Sequence, residues 1–298
     1  MKSYADYIKE KFGTRVQKIA LNPGFGCPNR DGKIGVGGCS YCNNKTFSPY
    51  YGMENKGIKE QLDEGIRFFS KKYKCQKYIA YFQSYTNTYA PVEELRKLYY
   101  SVLEREDVVG LTVATRPDCI SNEVLDLLTE ISKKYYVTLE LGVESCYNQT
   151  LKRINRGHNF EKSEKAIENA AEKGLEVCAH LIMYLPGESV EMMMKTTEIM
   201  NRLPVKIIKL HQLQVIKGTA MEKDYRENPE DFILPSAEEY ADFAARYVIK
   251  TPEKIYERFV SESPREMVAA PDWHGKKNYE ITELIKKKIS IFANEMRE

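Results

Sequence analysis

Apolar runs rich in β-branched residues recur at residues 16–21, 77–82, 108–115, 136–143, 175–184 and 206–215. Each is long enough for a strand buried on both faces. Between them, residues 58–74, 92–106, 122–133, 160–173 and 190–203 repeat apolar positions at helical spacing, with Pro91 suited to a first helical turn and Ser121 and Ser189 to N-caps. Six strand–helix units in alternation predict an α/β fold with a parallel sheet, a partial (β/α)6 barrel that does not close into eight strands. After Gly218 the alternation stops. Residues 225–235 read as a polar linker, followed by a helix near 237–250, a short strand at 255–260 and a terminal helix from about Tyr279. The expected division is a core over residues 1–219 and an α+β extension over 220–298 that covers the open side of the barrel.

Composition narrows the class without naming a substrate. Hydrophobic residues make up 42% and charged residues 30% of the 298, enough apolar side chain for a real core. The net charge is +2, from 45 Lys+Arg against 43 Asp+Glu, so any binding of nucleic acid must come from local patches. Seven irregularly spaced cysteines, a start (MKSYADYIKEKFGTR) unlike a signal peptide and the lack of a bilayer-length apolar run together predict a reducing, cytoplasmic setting.

In a parallel α/β architecture the site lies where loops follow the strands. Cys27, Cys39 and Cys42 follow the first strand, QSYTNT (83–88) the second, RPD (116–118) the third and GVES, with Arg156 downstream, the fourth. His180 lies on the fifth and His211 on the sixth. Eleven residues separate Cys27 from Cys39 and two separate Cys39 from Cys42, so the loop offers three thiolates where a closed structural zinc site needs four ligands. An iron–sulfur cube held by three thiolates keeps one iron open for a reacting ligand. Because Cys-x2-Cys serves both metals, a zinc knuckle with a distant fourth ligand stands beside that reading. Gly35, Gly37 and Gly38 favour the cube, since they let the backbone turn tightly and approach a bulky cluster. Cys75, Cys119, Cys146 and Cys178 stand alone and suit small hydrophobes. Bland alternatives attach to the rest: a surface role for Arg156, a helix-dipole role for Glu144, core packing for His180 and His211, and a cap on the third helix for Asp118.

The three cysteines and the ordered motifs after them resemble the radical S-adenosylmethionine (SAM) superfamily, over roughly residues 19–219. GVES followed by LKRINRGH is similar to a fourth-strand signature shared by the anaerobic coproporphyrinogen dehydrogenase and elongator catalytic-subunit groups. ATRPD (114–118) resembles the elongator-like third strand, and HLIMYLPGES the fifth strand and its turn. The cysteine spacing is wider than the superfamily's commonest three-then-two pattern. The resemblance implies that Cys27, Cys39 and Cys42 hold a 4Fe-4S cluster whose open iron takes the amino and carboxylate groups of SAM. An electron then splits the sulfonium into methionine and a 5′-deoxyadenosyl radical that removes hydrogen from substrate. It further implies that Arg156 pairs with the SAM carboxylate and Glu144 with the ribose. His180 takes a position that is acidic in some relatives, and Gln83-Ser84-Tyr85-Thr86 replaces the glycine-rich motif that usually meets the methionine amino group. Ala114 stands where porphyrin-type relatives have an acid, which argues against that function. Tyr41 is a candidate cluster wall, and Tyr85, Tyr89 and Tyr184 are candidates for the substrate side.

Over the whole chain the resemblance is to a bacterial, elongator-like family of about this length that lacks the acetyltransferase domain. It implies action on tRNA, converting carboxymethylaminomethyl-uridine at the wobble position to aminomethyl-uridine, with a flavodoxin or ferredoxin as electron donor. Arg116 is the candidate grip on the substrate carboxylate. Lys276, Lys277, Lys286, Lys287 and Lys288, with Arg258, Arg265 and Trp273, form a candidate phosphate-binding face, against a solvated helix as the plainer reading. A radical enzyme for a small metabolite or peptide, and a zinc-stabilised binding module, remain as alternatives.

Overall fold

The computed structural model of the chain describes residues 1–46, 49–52, 56–73, 76–261 and 263–295. The chain starts with β1 (Lys2–Ser3) and α1 (Tyr4–Phe12), capped by the Ser3 side chain. It then alternates through β2 (Val16–Leu21), α2 (Ile58–Ser70), β3 (Lys77–Phe82), α3 (Val92–Leu103), β4 (Val108–Thr115) and α4 (Asn122–Ser132). Next come β5 (Tyr136–Glu144), the short α5 (Asn148–Arg153), α6 (Phe160–Glu172), β6 (Glu176–Met183), α7 (Val190–Arg202) and β7 (Ile207–Gln212). The remainder holds β8 (Val215–Ile216), α8 (Ala220–Glu227), α9 (Ala237–Lys250), β9 (Ile255–Arg258), β10 (Val268–Ala270) and α10 (Asn278–Glu295).

Eight of the strands form one parallel sheet in the order β1-β9-β7-β6-β5-β4-β3-β2, and β8 pairs with β10 in a small antiparallel ribbon. All six predicted runs are strands, and the predicted helices end one to four residues earlier than their apolar pattern. Ser121 and Ser189 accept hydrogen bonds from the Val124 and Met192 N–H groups, as caps should. Pro91 stands just outside α3, as its N-cap residue, and brings no side-chain bond. Beyond the six units, β9 extends the same sheet past β7, and β1 closes that flank.

Alternation along each strand sorts the side chains into two environments. On β5, Leu139, Leu141 and Val143 face the helices within the main core, while Glu140 and Gly142 face inward to a cavity. Burying each such leucine or valine contributes about 1.5–3 kcal/mol, which holds the outer layer to the sheet. Ion pairing across the interior shows the curl: Lys18 on β2 reaches Glu257 on β9 at 2.6 Å, although five strands lie between them in the sheet order. The sheet is therefore a curled half-barrel. A second apolar cluster, with Tyr4 and Ile8 of α1 against Ile79, Tyr136, Cys178, Ile207 and Ile255, plugs one mouth.

Candidate active site

The loop after β2 is folded by its own backbone. The Cys27 carbonyl accepts from the Arg30 N–H at 2.8 Å, the Gly38 N–H donates to the Asn29 carbonyl at 2.7 Å, and the Cys42 N–H donates to the Cys39 carbonyl at 3.0 Å. Gly37 and Gly38 take left-handed φ values of 84° and 82°, which a side chain would strain. The turn after α5 clamps this loop: the Ser40 N–H donates to the Ile154 carbonyl at 2.9 Å, and the Asn155 amide to the Gly38 carbonyl at 2.7 Å. Donors converge on the Cys39 sulfur, from Arg156 at 3.5 Å, Asn29 at 3.7 Å and Arg116 at 4.0 Å. Such contacts orient a thiolate ligand and moderate its charge. Burial and the neighbouring Cys39 push the Cys42 thiol up.

The three cysteines open on a cavity of about 260 Å³ at the C-terminal ends of the strands. Gln83, Tyr85, Arg116, Glu144, Arg156 and His180 also line it. Ser84 is buried but does not line it. Tyr41 does line it, whereas Tyr89 bonds Asp31 outside and Tyr184 packs on Tyr240 and Phe243. Tyr85 and Glu144 hold left-handed φ of 58° and 66°, costs of about 1–3 kcal/mol each that cluster at functional positions. Arg156 is buried, donating to the Gly142 carbonyl at 2.5 Å and lying 3.6 Å from Glu144, while its Nε has no partner. Gly142 makes room for both: a Cβ there would meet the Glu144 carboxylate at 2.5 Å and the Arg156 guanidinium at 2.6 Å.

Arg116 occupies a different role from a free substrate grip. At 2% exposure it forms a two-pronged pair with Asp118, at 2.9 and 2.8 Å, and donates to the Arg156 carbonyl at 2.7 Å. Asp118 is thus tied to Arg116, and Ser121 caps α4 in its place. Burial alone would raise the Asp118 pKa; the hydrogen bonds and charge of Arg116 outweigh it and hold the carboxyl below its ordinary range.

Below this rim lies a buried ionic layer that strand patterning did not single out. Glu140 accepts from Lys18 at 2.9 Å, Lys209 at 3.0 Å and the Tyr81 hydroxyl at 2.9 Å, and its Oε2 lies 2.6 Å from His180 Nε2. Lys209 also lies 3.3 Å from Glu257. Burial opposes the Glu140 charge, but Lys18, Lys209 and His180 outweigh it and lower its pKa well below the usual carboxylate range. The signal was in the sequence: one charge sits inside each of VQKIAL, YVTLELGV and KIIKLHQLQV, at a position whose alternation points inward.

Two members of the expected basic face have other surroundings. Arg258 lines the cavity, and Trp273 is partly buried with its ring N–H on the Pro235 carbonyl at 2.9 Å. Lys276, Lys286 and Lys288 lie 3.4, 2.8 and 2.8 Å from carboxylates, while Lys277 and Lys287 are exposed. Cys119, Cys146 and Cys178 are free thiols raised by burial, and Cys75 lies outside the described residues.

The sequence profile of the radical SAM superfamily matches residues 21–200, and that of the radical SAM C-terminal domain residues 205–290. The chain belongs to the radical SAM superfamily. It is 37% identical to the uncharacterized protein YtqA of Bacillus subtilis over 95% of this chain and 87% of that one. It is 39% identical to protein YhcC of Escherichia coli K12, over 89% and 85%. A tRNA uridine(34) acetyltransferase of Methanocaldococcus infernus is 28% identical over 66% of this chain but only 35% of its own length. Among solved structures, an Elp3 from the same archaeon superposes with TM-score 0.69 at 22% identity, covering 93% of this chain and 63% of that one, a likeness of fold. No helix among the described residues is long and apolar enough to cross a membrane.

A radical SAM protein is a SAM-dependent enzyme whose cofactors are a 4Fe-4S cluster and SAM, and the residues present fit both. Three thiolates on one zinc, at Zn–S distances of about 2.3 Å, would crowd together. Among the described residues the group whose ligand atoms come within 4.8 Å of one another is Glu140, Cys178 and His180, not the three loop cysteines. Wider spacing suits the separate corners of a cube. The unpartnered Arg156 Nε in turn leaves a buried cationic donor for a carboxylate.

Proposed function

We propose that this enzyme acts on wobble uridine of tRNA, converting its carboxymethylaminomethyl substituent to aminomethyl, with water releasing the two-carbon unit as glyoxylate and SAM, the oxidant, reduced to methionine and 5′-deoxyadenosine. The unpaired donor of Arg156 beside the Cys39 sulfur, at the rim of a cavity in this fold, carries the cofactor part of the reading. Relatives whose names assign them to uridine 34 of tRNA support the substrate part.

On this reading Cys27, Cys39 and Cys42 hold the cluster, which with SAM supplies reductive sulfonium cleavage and, through it, removal of a hydrogen atom from an unactivated carbon. Arg156 binds the SAM carboxylate, a task suited to its planar fork, and Glu144, held at the lip by its left-handed backbone, takes the ribose hydroxyls. Thr86 replaces the missing glycine-rich contact: it lines the cavity, and its buried hydroxyl has no partner, so it accepts from the methionine ammonium beside Gln83. Arg116 positions rather than reacts, holding the Arg156 backbone and facing the Cys39 sulfur. Tyr41 and Ile182 wall the cavity and limit water there. A flavodoxin or ferredoxin in the cytoplasm supplies electrons.

The test is the nucleoside content of tRNA from cells with and without the gene. Carboxymethylaminomethyl-uridine should accumulate, and aminomethyl-uridine and its derivatives disappear, when the gene is lost. Unchanged nucleosides, with purified enzyme turning over a small metabolite instead, overturn the tRNA reading and favour the small-molecule alternative.

A further inference from the structure

The ionic layer under the cofactor rim is not neutral. Lys18 and Lys209 are matched by Glu140 and Glu257, all four joined by contacts of 2.6–3.4 Å. Arg258, at the end of β9, adds a further positive charge to the same cavity, and among the described residues it has no carboxylate within 4.0 Å. Its neighbour His211 is held neutral by burial and by the Arg258 charge, and its buried Nε2 has no hydrogen-bond partner. Arg258 is exposed at the cavity edge and free of a carboxylate partner, and beside it an orphaned, buried ring nitrogen leaves a polar position with room for an anion.

A cation fits the same hollow badly. Glu140, Cys178 and His180 lie close enough to share an ion. Yet Glu140 is already engaged by two lysines, and burial, followed by the Glu140 charge, keeps the Cys178 thiol protonated. A metal there would displace or repel ammonium groups that are themselves buried.

We propose that Arg258 and His211 form a carboxylate subsite at the β9 edge of the cavity, which receives the carboxymethyl group of the substrate. This rests on the tRNA reading above and moves the carboxylate grip from Arg116, which is already paired, to a residue of the C-terminal segment. Arg258 is also placed apart from the SAM carboxylate. Arg156 is held on the Gly142 carbonyl of β5, whereas Arg258 ends β9, three positions away in the sheet order, so the two guanidiniums belong to different strands of the cavity wall. The Lys18–Glu140–Lys209–Glu257 layer beneath this edge is rigid, because each charge is fixed by at least two partners.

The experiment measures binding of two anticodon stem–loop RNAs, one bearing carboxymethylaminomethyl-uridine and the other aminomethyl-uridine, to reconstituted enzyme with SAM. The wild type should prefer the carboxylate-bearing RNA, and Arg258→Gln should weaken that RNA about 10- to 100-fold while leaving the other unchanged. His211→Phe should act in the same direction, and Arg258→Lys should restore part of the preference. SAM affinity and thermal unfolding report whether each variant is folded. Equal loss for both RNAs, or a preference that survives in Arg258→Gln, overturns the subsite. If the wild type binds neither RNA, the tRNA reading fails, and crystals soaked in bromide decide the subsite separately. Anomalous density beside Arg258 and His211, absent in Arg258→Gln, supports it; no density in the wild type overturns it.

Discussion

Replacing Asp118 by alanine tests whether the Arg116 pair is what holds the cofactor rim. Both side chains are almost fully enclosed, at 3% and 8% exposure, so screening by water is weak. The change strands a buried guanidinium that keeps only the Arg156 carbonyl at 2.7 Å and a distant sulfur. Removing one partner of a buried pair costs about 3–5 kcal/mol. Asp118→Asn keeps a neutral acceptor and should cost about half as much. The double variant Arg116→Met/Asp118→Leu removes both charges and should recover much of the loss, giving strong non-additivity in the cycle. Urea unfolding of anaerobically reconstituted protein at neutral pH, with slopes compared as well as midpoints, measures all four. The sign with pH follows from the lowered carboxyl: its stabilisation is present above the unfolded value of 3.8 and is lost as pH falls through the folded one. An Asp118→Ala cost under about 1 kcal/mol, below the range for a broken buried pair, or additive single variants, would refute the clamp.

Gly142→Ala should spare stability more than function, because its Cβ collides with the movable ends of Glu144 and Arg156; SAM affinity by equilibrium dialysis should fall at least about tenfold, as for a lost charged hydrogen bond. His158 is lowered from 6.5 to about 4 by burial and by the Arg156 charge, so the unfolded chain binds the extra proton between those values. Its contribution, about 3 kcal/mol, is present above pH 6.5 and lost as pH falls towards 4, and His158→Gln should flatten that part of a stability–pH profile. Glu140→Ala should destabilise by more than about 3 kcal/mol, since Lys18 and Lys209 lose a shared partner inside the barrel, and Glu140→Gln by less; denaturant midpoints discriminate the two.

The six core strands could be read from apolar runs because strands buried on both faces leave a continuous signal, and the cysteine loop from spacing alone. Short helices were missed: α8 (AMEKDYRE) encloses only Met221, and α1 (YADYIKEKF) spaces Tyr4, Tyr7, Ile8 and Phe12 helically over just nine residues, too brief a stretch to stand out from the strand–helix alternation that follows. β9 was expected as a strand, but its place beside β7 depends on how far the sheet curls. By itself the sequence determined the strand–helix alternation, the three thiols and the residue types at the rim, because local pattern and spacing carry that information. Tertiary structure alone decided that Arg116 belongs to Asp118, that Lys18 meets Glu257 across the barrel and that Arg258 turns into the cavity. Those partners lie far apart along the sheet or depend on side-chain direction, and only closure of the curl brings their charges within a few ångströms, where burial makes each pairing count.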